Sequence, residues 1–332
     1  MYKIHKPKKL VKGDKIALIT PSGPLNDHRF SMDHLKPTIA RIEELGFRCV
    51  IGENVGKAFK IWAGTAQERA DDFEQAFCDP EVKAIFCIRG GSVSIEMAYI
   101  LDYEKLSARV AAYGAPVFIG YSDITTLHQV LLKKLGMISF HGINALQLAA
   151  DDLPQYVVDS LIDNVTSTEP VGSVLKRCDH DPTIVSIKEG AAHGRLIGGN
   201  LATLCSLMGT DFEPDIDEPL ILYIEDVGEL PHKVNRCLNQ LIGAKFFKNV
   251  VGVVGGNFFD NVVHGEEKPK FSLEFMRMVF EGKFSDRNIP VALGFPIGHS
   301  RDNVTIPNGA MAHLVVGEGG ADLELLEAAV VK

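Results

Sequence analysis

The chain has 332 residues, of which 46% are hydrophobic and 23% charged, and its net charge is −9. That length exceeds what one core ordinarily organises, so two domains are expected. The acidic balance argues against nucleic acid or an anionic membrane surface as a partner, and no run approaches the ~20 apolar residues that cross a bilayer.

In chain order, the basic start MYKIHKPKKLVKGDKIALIT contains only IALIT as an apolar stretch, too short for a signal-peptide core. KIALIT (15–20) reads as a strand ended by Pro21-Ser22-Gly23-Pro24. A helix pattern over 31–45 stops at Gly46, FRCVIG (47–52) is a second strand, and residues 66–77 place Ala70, Phe73 and Phe77 on one helical face. VKAIFCI (82–88) is a third strand, followed by Arg89-Gly90-Gly91, and residues 95–106 read as one helix. PVFIGY (116–121) and MISFHG (137–142) are further strands. They flank a helix whose Ile124, Leu127, Leu131 and Leu135 share a face. Strict alternation of strand and helix predicts a parallel sheet covered on both sides.

Residues 150–185 are polar and rich in turn formers, and read as the crossing between domains, with a short helix near 155–163. Beyond them, 219–226, 250–257 and 290–295 are apolar runs, and 230–244 and 272–284 are helix candidates. The division expected is 1–165, a linker 166–184, and 185–332. The six cysteines, Cys49, Cys78, Cys87, Cys178, Cys205 and Cys237, form no C-x-x-C pair and read as thiols of a reducing cytoplasm.

The unusual polar residues cluster at the carboxyl ends of strands: Arg89-Gly90-Gly91, Ser122-Asp123, Glu225-Asp226, Gly255-Gly256-Asn257, and His299 after GFPIG. In open α/β sheets that edge forms the ligand crevice. Ser122 follows Gly120 by two residues, but Ile124 breaks the G-x-S-x-G pattern of a nucleophile elbow. A serine or aspartate here is also an ordinary helix N-cap, and on this stretch alone the cap is the better reading. The pattern does not choose among Glu225, Asp226 and Glu229 as partner of a base. His141, at a strand end, rivals His299, while His128 on a helix and His264 in a polar loop are weaker candidates. Gly90 and Gly91 suit either a tight turn or a backbone that approaches a ligand. Cys178, Asp179, His180 and Asp181 are metal-ligand types, although a solvated loop is the better reading. No G-x-G-x-x-G follows the first strand, and there is no Walker or H-E-x-x-H motif, which argues against a Rossmann-type oxidoreductase.

Taken in order, ALITPSGP, WAGTAQERADDF, AIFCIRGG, FIGYSDITTL, GRLIGGNLATLCSLMGTDFEPD, ILYIEDVGE and GFPIGHS resemble the LD-carboxypeptidases of the serine peptidase S66 type, which include the microcin C immunity peptidases. The resemblance reverses the reading of Ser122 as a simple cap. It implies a flavodoxin-like N-terminal domain, a smaller β-rich α/β C-terminal domain, a site between them, and a homodimer. It further implies a triad of Ser122, Glu225 and His299, and an oxyanion hole from the N–H groups of Gly91 and Asp123. Substrate contacts would come from Arg89, Gly90 and Ser92, with no metal or organic cofactor. The substrate would be a small peptide with a C-terminal D-amino acid, or an aminoacyl-nucleotide-like amide; a ligand-binding protein on the same scaffold is the alternative. The chain departs from the family after RGG, where Tyr-Gly and a later arginine are common but Ser92-Val93 and Glu96 stand here. His232 and Asn235 likewise replace a frequent Tyr and Asp. Loss of the aromatic and gain of Glu96 are expected to alter the pocket beside the oxyanion hole.

Overall fold

The computed structural model describes residues 3–26, 31–176, 178, 183–258 and 273–332. Apolar runs of four to six residues form the first strands, and the amphipathic segments between them form the helices. In order these are β1 (Lys15–Ile19), α1 (Leu35–Glu44), β2 (Arg48–Ile51), α2 (Ala66–Cys78) and β3 (Val82–Cys87). They continue with α3 (Ser94–Ala98), α4 (Tyr103–Tyr113), β4 (Val117–Gly120), α5 (Thr125–Leu135) and β5 (Ser139–His141). The single helix expected over 95–106 is two. Asp102 leaves helical geometry, and its carboxylate accepts the Lys105 N–H at 2.9 Å, which caps a new helix and ends the old one.

Residues 155–166 form α6 (Gln155–Thr166), longer than expected, and the chain then runs through β6 (Gly172–Ser173) and β7 (Val185–Lys188). The remainder is β8 (Gly190–Asn200), α7 (Leu201–Ser206), β9 (Leu220–Glu225), α8 (Pro231–Gly243), β10 (Val250–Gly255), α9 (Leu273–Phe284) and β11 (Val291–Leu293). It closes with β12 (Ile306–Asn308), β13 (Met311–Gly317) and β14 (Gly320–Leu325).

Two sheets result. The first has the order β12-β5-β4-β3-β1-β2, with β5 to β2 parallel and β12 antiparallel at the edge. Its parallel part is the flavodoxin-like order, in which ligands meet the carboxyl edge where the winding reverses, between β1 and β3. The second has the order β6-β14-β13-β8-β9-β10-β11-β7, parallel from β8 to β11 and antiparallel outside. The α/β, two-sheet architecture expected from the sequence is the one observed.

The sheets meet through α5 and β8. Gly198 and Gly199 have φ of +154° and +133°, and a Cβ on Gly199 would lie 2.3 Å from Thr125 Oγ1. Glycine therefore lets the strand backbone lie directly on the helix. Asn200 N–H donates to Thr125 Oγ1 at 2.9 Å, and Gln129 Nε2 donates to the Gly198 carbonyl at 2.7 Å. Beneath α5, Phe118 is fully buried, edge-on to Phe73 at 5.8 Å and to His128 at 5.5 Å. Phe118→Ala is expected to lower stability in denaturant titration by about 3–5 kcal/mol; a loss under about 1 kcal/mol would contradict this packing account.

Candidate active site

Three strand ends of the first sheet converge here. Ser22 follows β1, the Arg89-Gly90-Gly91 turn follows β3, and Ser122 follows β4. Ser122 has φ +67°, a left-handed value that a non-glycine residue holds only under constraint, at a cost of about 1–3 kcal/mol. That strain separates it from an ordinary N-cap, and the cap position of the turn falls on Tyr121, one residue earlier. Gly90 lies over it: a Cβ there would fall 2.8 Å from Ser122 Cβ and 3.0 Å from its Oγ. No side chain at 90 fits without moving the serine.

The strand end before Ser122 is held by groups the sequence did not reveal. Asn144 Oδ1 accepts the Tyr121 N–H at 3.3 Å. His128, fully buried, contacts the Gly120 carbonyl through Nε2 and Ser139 Oγ through Nδ1, both at 2.8 Å. A carbonyl only accepts, so Nε2 carries the proton and Nδ1 accepts from the serine. Burial pushes this imidazole down to about 4, against the smaller effect of the carbonyl bond, and fixes the neutral form.

Glu225 ends β9 in the second sheet, with its side chain fully buried. Its Oε2 lies 2.7 Å from His299 Nδ1. Oε1 has no hydrogen-bond partner among the described residues. Gly298 permits this approach: its φ is +112°, and a Cβ there would lie 2.5 Å from Glu225 Oε2. His299 also packs on Tyr121, ring centroids 4.7 Å apart, which brings the imidazole beside the residue that precedes Ser122. Burial lowers the basicity of His299, but the charge and hydrogen bond of Glu225, with the charge of Asp226, outweigh it and leave the imidazole above its ordinary value. With Nδ1 engaged, Nε2 is the nitrogen left for chemistry.

The other candidates lie elsewhere. His141 is fully buried against Tyr121 and Tyr223, neither ring nitrogen has a partner among the described residues, and burial holds it well below its ordinary value. Asp226 turns away from His299 and accepts Asn200 Nδ2 and the Ala202 and Val227 N–H groups at 2.8–2.9 Å. Burial and then the Glu225 charge push its carboxyl up to about 6, against those hydrogen bonds. Glu229 pairs with Lys233 at 3.2 Å. His264, Asp179, His180 and Asp181 lie outside the described residues.

Arg89 is half-buried and donates to the Pro24 carbonyl at 2.8 Å, and Gly91 and Ser92 are exposed. The Gly91 N–H donates to no described residue, and Asp123 stands in the first turn of a helix, where N–H groups have no intrahelical acceptor. Val93 adopts φ −136° and is buried, so the loop does without a glycine there. Glu96 does not enter the pocket. It pairs with Arg69 at 2.6 Å, and that buried guanidinium also donates to the Gly64 carbonyl at 2.9 Å.

A parallel α/β sheet with a strained serine turn at its carboxyl edge, beside a buried carboxylate paired with a half-buried imidazole, is the arrangement expected of an enzyme that hydrolyses through a nucleophile. The comparisons with known proteins agree. Residues 16–142 match the LD-carboxypeptidase N-terminal domain and residues 193–314 the LD-carboxypeptidase C-terminal domain. The chain is 31% identical to the "Probable murein peptide carboxypeptidase" of Bacillus subtilis (strain 168), over 96% of this chain and 94% of that protein. It is 27% identical to the "Microcin C7 self-immunity protein MccF" of Escherichia coli, over 90% of each. A solved MccF-like protein from Bacillus anthracis superposes with a TM-score of 0.85 at 26% identity, over 97% of this chain and 99% of that one. The chain thus belongs to the LD-carboxypeptidase family, peptidase S66, and is a carboxypeptidase-type enzyme that hydrolyses amide bonds.

The raised basicity of His299 has a signed consequence for stability. A group whose folded value lies above its unfolded one stabilises fully below the unfolded value, about 6.5, and loses that contribution as pH rises through the folded value. The unfolding temperature of the wild type is expected to fall more steeply than that of Glu225→Gln as pH rises from about 6 to 8. Parallel curves would remove the carboxylate as the cause of the shift.

Proposed function

We propose that the chain is a serine carboxypeptidase acting through Ser122, His299 and Glu225. Ser122 Oγ attacks the amide carbonyl. His299 Nε2 takes its proton and returns it to the leaving amine, and Glu225 fixes the imidazole tautomer and stabilises the charged ring. The Gly91 and Asp123 N–H groups receive the developing oxyanion, aided by the positive end of α5. Water then hydrolyses the acyl-enzyme. The observation that carries this reading is the positive φ of Ser122 on the ledge where His299 packs, with Nδ1 of that imidazole bound to Glu225 at 2.7 Å. The substrate class is a small murein-type peptide with a C-terminal D-amino acid, or an aminoacyl-nucleotide-like amide, as the names of the relatives suggest.

The same reading assigns Ser122 to a domain of residues 1–165 and the Glu and His to a domain of 185–332, joined by 166–184. The two sheets support this division, and β12 is the strand that crosses it. The reading includes a cytoplasmic homodimer; the thiols of Cys49, Cys78, Cys87, Cys205 and Cys237, none in a disulfide, support a reducing compartment, and sedimentation tests the assembly. Among the described residues no helix is long and apolar enough to cross a membrane.

Ser122→Ala is expected to abolish labelling by a fluorophosphonate and turnover of a muropeptide and aminoacyl-nucleotide panel, with unfolding temperature kept. Labelling that persists in Ser122→Ala or His299→Ala sinks the triad, and a folded wild type that neither labels nor turns over points to a ligand-binding protein. Because the base must be neutral, the labelling rate is expected to rise with pH along a limb centred above about 6.5, and to shift to lower pH in Glu225→Gln. An unshifted limb would assign the titration to another group.

A further inference from the structure

The two candidate oxyanion donors sit on different strand ends, Gly91 after β3 and Asp123 after β4, and no covalent link fixes their separation. The Asp123 side chain links them through hydrogen bonds instead. Its Oδ2, in a residue only 6% exposed, accepts the Ser22 hydroxyl at 2.6 Å and the Ser94 N–H at 2.8 Å. Ser22 gives its proton to Asp123, so its oxygen is left as an acceptor, and it receives the Val93 N–H at 3.3 Å. Ser94 Oγ returns a bond to the Asp123 carbonyl at 2.7 Å. On the other side of Gly91, the Gly90 carbonyl accepts the Gly23 N–H at 2.9 Å. Gly91 is thus strapped on both flanks. It lies so close to the Ser22-Gly23 turn that a Cβ on it would fall 2.3 Å from Ser22 Oγ and 2.4 Å from Gly23 N. Ser22 and Ser94 are fully buried, so water does not compete for these bonds.

We infer that Asp123 is the positioning residue of the oxyanion site: its main chain offers one donor, while its carboxylate, through Ser22 and Ser94, sets where the Gly91 donor stands. The inference rests on the triad reading above. A misplacement of about 1 Å costs an enzyme on the order of 100-fold in rate, and loss of one oxyanion donor about 100- to 1,000-fold. The effect falls on the chemical step, because a ground-state ligand makes little use of these N–H groups. Ser22 is a link in the same chain, so its loss and that of the Asp123 carboxylate are coupled.

The test is the saturation kinetics of labelling by an alkyl fluorophosphonate, whose phosphorus is attacked by Ser122 as fluoride leaves and whose phosphoryl oxygen occupies the oxyanion site. Asp123→Ala is expected to lower the limiting rate about 100-fold, with the half-saturating concentration within about threefold of wild type. Asp123→Asn keeps an oxygen that can accept both donors and is expected to recover at least a tenth of the wild-type rate. Ser22→Ala is expected to slow labelling about tenfold, and the Ser22→Ala/Asp123→Ala double variant to be no slower than Asp123→Ala. An unchanged limiting rate in Asp123→Ala, no recovery in Asp123→Asn, or penalties that multiply in the double variant would each overturn the inference. Should Asp123→Ala not fold, Ser22→Ala and Asp123→Asn decide it: a wild-type rate in the first or a rate below a tenth in the second overturns it. Wild-type protein that does not label at Ser122 fails the triad reading, a result distinct from all of these.

Discussion

The left-handed backbone at Ser122 governs the site, because a serine has no intrinsic reason to stay there. Nothing in the local sequence relieves it: the glycine stands two positions earlier, and the following residue is the acidic Asp123. The conformation persists because neighbours over-determine it. His128 and Asn144 hold the carbonyl and the N–H of the Gly120–Tyr121 peptide group just before the serine, Asp123 is bound through carboxylate and carbonyl just after it, and Gly90 closes the space above. Each holder comes from a different strand end or helix, so the placement of the half-buried serine is a product of the whole sheet edge.

Charge is arranged with the same economy of partners. Glu225 is fully enclosed and has one hydrogen-bonded partner among the described residues, His299. A carboxylate in that position stabilises the protonated ring strongly, since little water screens it. Asp226, its neighbour in sequence, is pushed up to about 6, so the adjacent pair does not hold two full negative charges under mildly acidic conditions. The three donors around Asp226 also keep its side chain out of competition for the imidazole.

The alternation of apolar runs and amphipathic segments made the first sheet legible from the chain alone, because its inner parallel strands β1, β3, β4 and β5 are buried on both faces, while β2 is an exposed edge. The β13–β14 hairpin and β12 were not, as their residues are shorter or half-exposed. Missing β12 had a consequence: with nothing beyond it, β5 reads as ending at the surface, and His141 looks as available as His299. In the fold, Ile306 pairs with His141 and the imidazole is sealed. Ser122 was ambiguous on local grounds because a nucleophile and an N-cap require the same residue type at the same place, and only φ separates them. Glu96 was expected beside the pocket, yet Arg69, distant in sequence, claims it. Ser22 lies at a strand end of the kind singled out for chemistry, but its role depends on Asp123, and no spacing rule connects the two.

His299 stands on the segment that leaves β11 in one sheet and enters β12 in the other. The imidazole therefore rides on a seam sewn at both margins. Length changes in this segment would shift the two sheets and the base together, so drift in sequence there is constrained from both directions. Diversity among relatives has freer ground in segments that touch a single sheet, where a lobe can be remodelled while the seam stays in register.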